Sequence, residues 1–344
     1  VAPQPGVDAG PSRMDAGQPT SDAAQQPAQD GGPDASDAAS PKPDASQDAS
    51  TPRDPNKKFV GNIISSQWPV KPVFDRYWDQ VTPENEGKWG SVEPQRDQMS
   101  WSKLDAIYNH AKSHNQIFKQ HTFVWGNQQP NWIAGLSASE QREEVEEWIR
   151  LFCERYPDTA MIDVVNEPVH VKPAYLSAIG GEGQSGYDWI VQSFKWARQY
   201  CPKAILILND YNNIEWEGDV NSFIDIAKRV KAAGAPIDAV GAQAHDCHKR
   251  PTATVKQFLD RLAAETGLPV YITEYDIGEP DDTKQKQVME SQFPLFYTHA
   301  SVKGITLWGY ILGQTWRNDE RSGLMTDSGM ERPALTWLMD YLKR

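Results

Sequence analysis

Met161-Ile162-Asp163-Val164-Val165-Asn166-Glu167-Pro168 is an apolar run that stops abruptly at an amide, a carboxylate and a proline. Its apolar residues do not alternate with polar ones, the pattern of a strand buried on both faces in a parallel sheet. A glutamate at the end of such a strand has left water and needs a partner or a task. The same design recurs on either side. Strands are predicted at Phe59–Ser65, Tyr77–Thr82 and Ile117–Val124 before it, and at Ala204–Asn209, Ala239–Ala244, Pro269–Thr273 and Gly304–Trp308 after it. Amphipathic helical segments separate them: Trp101–Ser113, Ser139–Tyr156, Gly186–Tyr200, Glu217–Ala233, Val255–Thr266 and Gln285–Ala300. Ser137-Ala138-Ser139-Glu140 has the spacing of a capping box. Eight βα units over residues 55–344 predict an α/β fold, a (β/α)8 TIM barrel. An open doubly-wound sheet is the alternative, but no Gly-rich phosphate loop follows the first strand.

Residues 1–54 are a different material. Runs such as Asp34-Ala35-Ser36-Asp37-Ala38-Ala39-Ser40 hold no aromatic and hardly a branched apolar side chain. Without a core to offset ordering entropy, this segment reads as a disordered linker. A spacer of that kind tethers a domain to a cell surface or to another module, and an inert tail is the plainer reading. The chain begins at Val1 rather than Met, as expected of a secreted or surface-attached bacterial-type protein that has lost its leader. No run approaches the roughly 20 apolar residues of a membrane span. The barrel is expected to act as a monomer.

A formal net charge of −13 repels nucleic acid and anionic membranes, so neither is expected as a partner. A neutral polymer is indifferent to that charge. The 13 Trp and 12 Tyr are compatible with stacking on sugar rings and equally with filling a large core. Three cysteines, Cys153, Cys201 and Cys247, fit no zinc motif. Buried free thiols are the commoner outcome. A Cys153–Cys201 bridge is the alternative, since both lie near helix C-terminal ends at one end of a barrel.

Polar and aromatic residues crowd the strand tips. The second strand ends Thr82-Pro83-Glu84-Asn85, with Lys88 and Trp89 behind; the third holds His121 and ends at Trp125, before Asn127 and Gln128. Others end Asn166-Glu167-Pro168, Asn209-Asp210-Tyr211-Asn212, Gln243-Ala244-His245-Asp246 and Thr273-Glu274-Tyr275-Asp276, and the eighth ends at Trp308 with Trp316 beyond. In a (β/α)8 barrel these tips converge on the face where active sites are built. Glu167 and Glu274 follow strands four and seven, on opposite sides of the barrel. Two facing carboxyls suit glycoside hydrolysis: one protonates the leaving oxygen, the other attacks the anomeric carbon or activates water. A metal is the rival use of His121, His245, Glu167 and Glu274, yet these four contain no short ligand pair, and His248 is expected to point outward. No metal and no cofactor is therefore expected.

From Phe59 to its end the chain resembles glycoside hydrolase family 10, the retaining endo-β-1,4-xylanases. The resemblance rests on Val81-Thr82-Pro83-Glu84-Asn85-Glu86-Gly87-Lys88-Trp89, His121-Thr122-Phe123-Val124-Trp125, Asp163-Val164-Val165-Asn166-Glu167-Pro168, Asn209-Asp210-Tyr211-Asn212, Gly241-Ala242-Gln243-Ala244-His245 and Ile272-Thr273-Glu274-Tyr275-Asp276-Ile277. It implies xylan or xylo-oligosaccharides as substrate, Glu167 as acid/base and Glu274 as nucleophile. His245 would bond the nucleophile, Asp276 would orient His245, and Asn166 would hold the sugar 2-OH. Glu84, Asn85, Lys88, His121, Trp125 and Gln128 would form the glycone wall. Tyr211 and Gln243 would form the aglycone side, and Trp308 and Trp316 would close over the cleft. A retaining pair implies carboxyls about 5–5.5 Å apart. A barrel glycosidase for another β-glucan and a non-catalytic sugar-binding barrel remain the competing readings. Two features depart from the family pattern. Gly126 stands where many members carry His, which removes a polar side chain near the site and points to looser selectivity or admission of a decorated sugar. The loop Gly313–Arg321 also differs from the commoner form.

Overall fold

The apolar runs become the staves of a closed barrel. A computed structural model describes residues 58–67 and 74–344; the linker assigned to 1–54 lies outside the described residues. Parallel strands pair in chain order and the last closes on the first. They are β1 Phe59–Ile64, β2 Gln80–Pro83, β3 Ile117–Val124, β4 Met161–Asn166, β5 Ile205–Asp210, β6 Ala239–Ala242, β7 Val270–Tyr275 and β8 Val302–Leu307. Around them run α1 Phe74–Tyr77, α2 Trp89–Val92, α3 Ser102–Ser113, α4 Ala138–Arg155, α5 Asp188–Tyr200, α6 Glu217–Ala232, α7 Thr252–Thr266, α8 Asp282–Thr298 and α9 Pro333–Leu342. The (β/α)8 expectation is met. Among the described residues no helix is long and apolar enough to cross a membrane.

Two cores hold the fold. The larger lies between sheet and helices and includes Trp148, Phe152, Trp189, Phe194, Val240 and Phe296. The smaller plugs the barrel with Phe59, Met161, Ile207, Ala239 and Tyr271. Two residues further along their strands, side chains return to the same face. There Asp163 follows Met161, Asn209 follows Ile207, and Thr273 follows Tyr271; on β3, Lys119 and His121 follow Ile117. The barrel is therefore apolar at its strand N-termini and polar toward their C-termini. Lys119 Nζ sits 2.9 Å from Asp163 Oδ2 with both side chains fully buried, and His121 Nδ1 lies 2.9 Å from the same oxygen. That polar layer is the floor of the site.

Local signals behave as read, with exceptions. The Ser137 hydroxyl accepts from Glu140 N at 3.4 Å, and Ser137 N donates to Glu140 Oε2 at 3.0 Å, closing the capping box of α4. Tyr77 ends α1 instead of opening β2, and the neighbouring Trp78 packs edge-on against Tyr310, so these aromatics belong to the outer core. Helix α9, with Pro333 in its first turn, was not anticipated. The thiols also correct the commoner expectation. Cys153 and Cys201 are bridged, and buried Cys247 is free. Consecutive barrel helices run the same way, so the C-terminal ends of α4 and α5 meet and bring the two Cα atoms to 5.3 Å.

Candidate active site

The strand tips surround a cleft of about 530 Å3. Every residue assigned from the sequence to substrate binding lines it: Glu84, Asn85, Lys88, His121, Trp125, Gln128, Tyr211, Gln243, Trp308 and Trp316. Glu167, Glu274 and His245 line it too, whereas Asn166 and Asp276 stand behind them. On one wall, Lys88 Nζ donates to Asn85 Oδ1 (2.9 Å) and Gln128 Oε1 (2.6 Å) and lies 5.0 Å from the centre of the Trp125 ring. Burial pushes that ammonium's pKa down, against the attraction of Glu274, Glu84 and Glu167. On the opposite side Tyr211 stacks on His170 with ring centres 3.7 Å apart. Trp308 is buried against His121, while Trp316 is 53% exposed at the rim.

Glu167 leaves β4 in the left-handed region, at φ 56°. A side chain there costs about 1–2 kcal/mol, so the surroundings must hold it. They do so through Asp210, whose carboxylate accepts from Val169 N (2.9 Å), His170 Nδ1 (2.8 Å) and Tyr211 N (2.8 Å), stapling the turn that follows Glu167. The Glu167 carboxyl then accepts from Trp125 Nε1 (2.8 Å) and Gln243 Nε2 (3.1 Å). Burial raises its pKa above the usual carboxylate range and the charge of Glu274 adds to that, while those two hydrogen bonds oppose.

Glu274 has the opposite character. Burial alone would raise its pKa, but the charges of His121, His245 and Lys119 and the contact with His245 bring it down to about 2. His245 Nε2 lies 3.4 Å from Glu274 Oε2, and Nδ1 lies 3.2 Å from Asp276 Oδ2. Burial disfavours the imidazolium, yet Asp276 first and Glu274 second raise the His245 pKa to about 10, so it stays charged. Asp276 is itself held by Trp316 Nε1 at 2.7 Å and by Arg317 Nε at 3.6 Å.

An amide relay joins the two glutamates, and its centre, Asn209, was not singled out from the sequence. Asn209 Nδ2 donates to Asn166 Oδ1 (2.8 Å) and Glu274 Oε1 (2.9 Å), while Thr273 Oγ1 donates to Asn209 Oδ1 (2.6 Å). With Oδ1 engaged, Asn166 presents its NH2, which reaches Glu167 Oε1 at 3.3 Å. Gly241 makes room for the relay, because a Cβ there would lie 2.2 Å from Asn209 Oδ1. Arg317, Asp246, Asn127 and Asn212 are further cleft-lining residues outside the sequence assignment. Only the strand-tip position of Asn127, Asn212 and Asp246 offered a signal. Gly126 does not open the pocket. A Cβ at that position would meet Val171 Cγ1 at 2.5 Å and Lys172 O at 2.7 Å, so the loop after β4 already fills the space.

Two buried carboxyls with opposed proton affinities, in an indole-lined cleft at the strand C-termini of a (β/α)8 barrel, are the arrangement that glycoside hydrolysis requires. The chain belongs to glycosyl hydrolase family 10, whose model matches residues 55–341. It is 52% identical over 289 residues to endo-1,4-beta-xylanase B of Cellvibrio japonicus, a match covering 84% of this chain and 46% of that one. The chain thus spans less than half the length of that relative. It is 31% identical to endo-1,4-beta-xylanase B of Thermotoga neapolitana, over 71% of this chain and 73% of the relative. Among solved structures, native xylanase 10B from Thermotoga maritima superposes with a TM-score of 0.74 at 26% identity, covering 83% of this chain and 95% of the other. Xylanase 10B from Thermotoga petrophila RKU-1, solved with xylobiose, gives the same score and identity over 83% and 94%.

Proposed function

We propose that this protein hydrolyses internal β-1,4-xylosidic bonds of xylan with retention of anomeric configuration. The observation that carries the reading is the opposed state of the two glutamates: Glu167 is pushed toward holding its proton, and Glu274 is held ionised. In the first step a Glu274 carboxylate oxygen attacks the anomeric carbon while Glu167 gives its proton to the departing glycosidic oxygen. In the second, Glu167 takes a proton from water, and that water displaces the sugar from Glu274. The Asn166 amide is poised to donate to the sugar 2-OH, a contact that strengthens as positive charge develops on the ring. The xylanase names of the relatives and the xylobiose complex of the Thermotoga petrophila enzyme support xylan over another β-glucan. Reducing-sugar release from xylan and from carboxymethylcellulose tests this: faster cleavage of cellulose would overturn the substrate, and an inverted product by NMR would overturn the mechanism. Glu274→Ala is expected to abolish hydrolysis of both natural and activated substrates.

The Cys153–Cys201 bridge also supports action outside the reducing cytosol, secreted or at a cell surface. An antibody against the chain, applied to cell and culture fractions of the source organism, tests that; retention wholly in the cytosol would overturn it. Light scattering on the purified chain tests the expected monomer.

A further inference from the structure

We propose that His110, His114 and Asp75 form a binding site for a divalent first-row transition ion such as Zn2+, separate from the cleft. His110 lies in α3 and His114 follows its last residue; as an i, i+4 pair they project from one helix face. Their rings lie 4.2 Å apart, and Asp75 on α1 faces both. His110 Nε2 is 3.5 Å from Asp75 Oδ1, and His114 Nε2 is 3.1 Å from Asp75 Oδ2. One ligand atom from each of the three residues lies within 4.8 Å of the other two, and a tetrahedron with bonds of about 2.0–2.1 Å has edges of about 3.3 Å, so small side-chain rotations bring the three to neighbouring corners around zinc.

Two further observations point to a ligand rather than to a surface ion pair alone. His114 Nδ1 donates to the His110 carbonyl at 2.8 Å, which fixes the tautomer and leaves Nε2 to face Asp75. Metal-bound histidines are held by just such an outer hydrogen bond. His110 Nε2 is buried and makes no hydrogen bond among the described residues, although it is aimed into the cluster. Two imidazoles and one carboxylate select Zn2+, Ni2+ or Cu2+ over Mg2+ and Ca2+. Helix α3 runs antiparallel to the strands, so its last turn lies at the end of the barrel away from the cleft. An ion there would clip α1 to α3 and stabilise the barrel without taking part in hydrolysis.

Zn2+ binding to the full chain without a histidine tag, followed by calorimetry and by thermal melting, tests the site. Expected are one Zn2+ per chain and a melting midpoint raised by roughly 4–5 °C at 100 times the dissociation constant. His114→Ala and Asp75→Asn should each weaken binding at least tenfold and leave xylan hydrolysis unchanged. The proposal is overturned by absence of binding at 100 micromolar (about that level), by binding that survives both substitutions, or by equal binding of Ca2+.

Discussion

His245→Ala separates the electrostatic role of this imidazole from a merely structural one. In the intact site the imidazolium stands 3.4 Å from Glu274 and remains charged because its pKa is raised to about 10. At an effective dielectric constant of about 20, two unit charges at that distance interact by about 5 kcal/mol, or about 3.5 pKa units. That is the ceiling on the effect, since His121 and Lys119 still attract Glu274 and water enters the vacated space. Losing the charge lets Glu274 bind its proton more readily, so its pKa moves up from about 2. The acid limb of kcat/KM should therefore climb to about pH 4–5. An aryl xylobioside with an activated leaving group is the substrate of choice, because its cleavage does not wait on Glu167. Near pH 7 the variant should retain a substantial share of its activity, with loss growing steeply as pH falls below 5. A uniform loss at every pH, with the acid limb unmoved, would refute the assignment of His245 as the charge that keeps Glu274 ionised.

Trp125→Phe removes a hydrogen bond that favours the Glu167 carboxylate, so Glu167 should keep its proton to higher pH and the alkaline limb on xylan should rise by up to about one unit. A limb that stays put or falls would show that the indole does not set this pKa. The double change Cys153→Ser and Cys201→Ser opens a loop with a sequence separation of 48; the chain-entropy estimate for that loop is about 4 kcal/mol, and calorimetry should find a melting midpoint lower by on the order of 10 °C. A shift below about 2 °C would refute that estimate. Gly126→Ala should lower stability by about 1–3 kcal/mol in urea titration, because the new methyl group meets Val171 and the main chain of Lys172. Unchanged stability with broader substrate tolerance would instead favour an open pocket at Gly126.

The barrel and the cleft wall were legible because both depend on order along the chain. A strand buried on two faces shows itself as an unbroken apolar run, and a barrel sends the C-terminal end of every such run to one face. Glu84, Trp125, Tyr211, Gln243 and Trp308 could therefore be placed without coordinates. The failures are of another kind. Tyr77 and Trp78 have strand-forming side chains but serve the outer core, since propensity does not say which surface an aromatic covers. The disulfide depends on two helix ends that are remote in sequence and adjacent only after closure.

The residues that tune the glutamates were hidden for a more instructive reason. Asp163 sits within an apolar run and Lys119 within a strand, and each alone looks like an interruption of a core. Only the fold shows that the two pair in full burial, and that Lys119 together with His121 and His245 lowers the Glu274 pKa. Asn209 and Asp210 are likewise neighbours on β5 with opposite tasks, because successive strand residues face opposite ways. Asn209 turns inward to join Asn166 to Glu274, while Asp210 turns to the turn after β4 and holds Glu167 in its left-handed conformation. One strand thus fixes Glu167 through its backbone and Glu274 through its carboxylate. Such coupling follows from barrel closure, and the sequence carries no sign of it beyond the bare pair Asn-Asp.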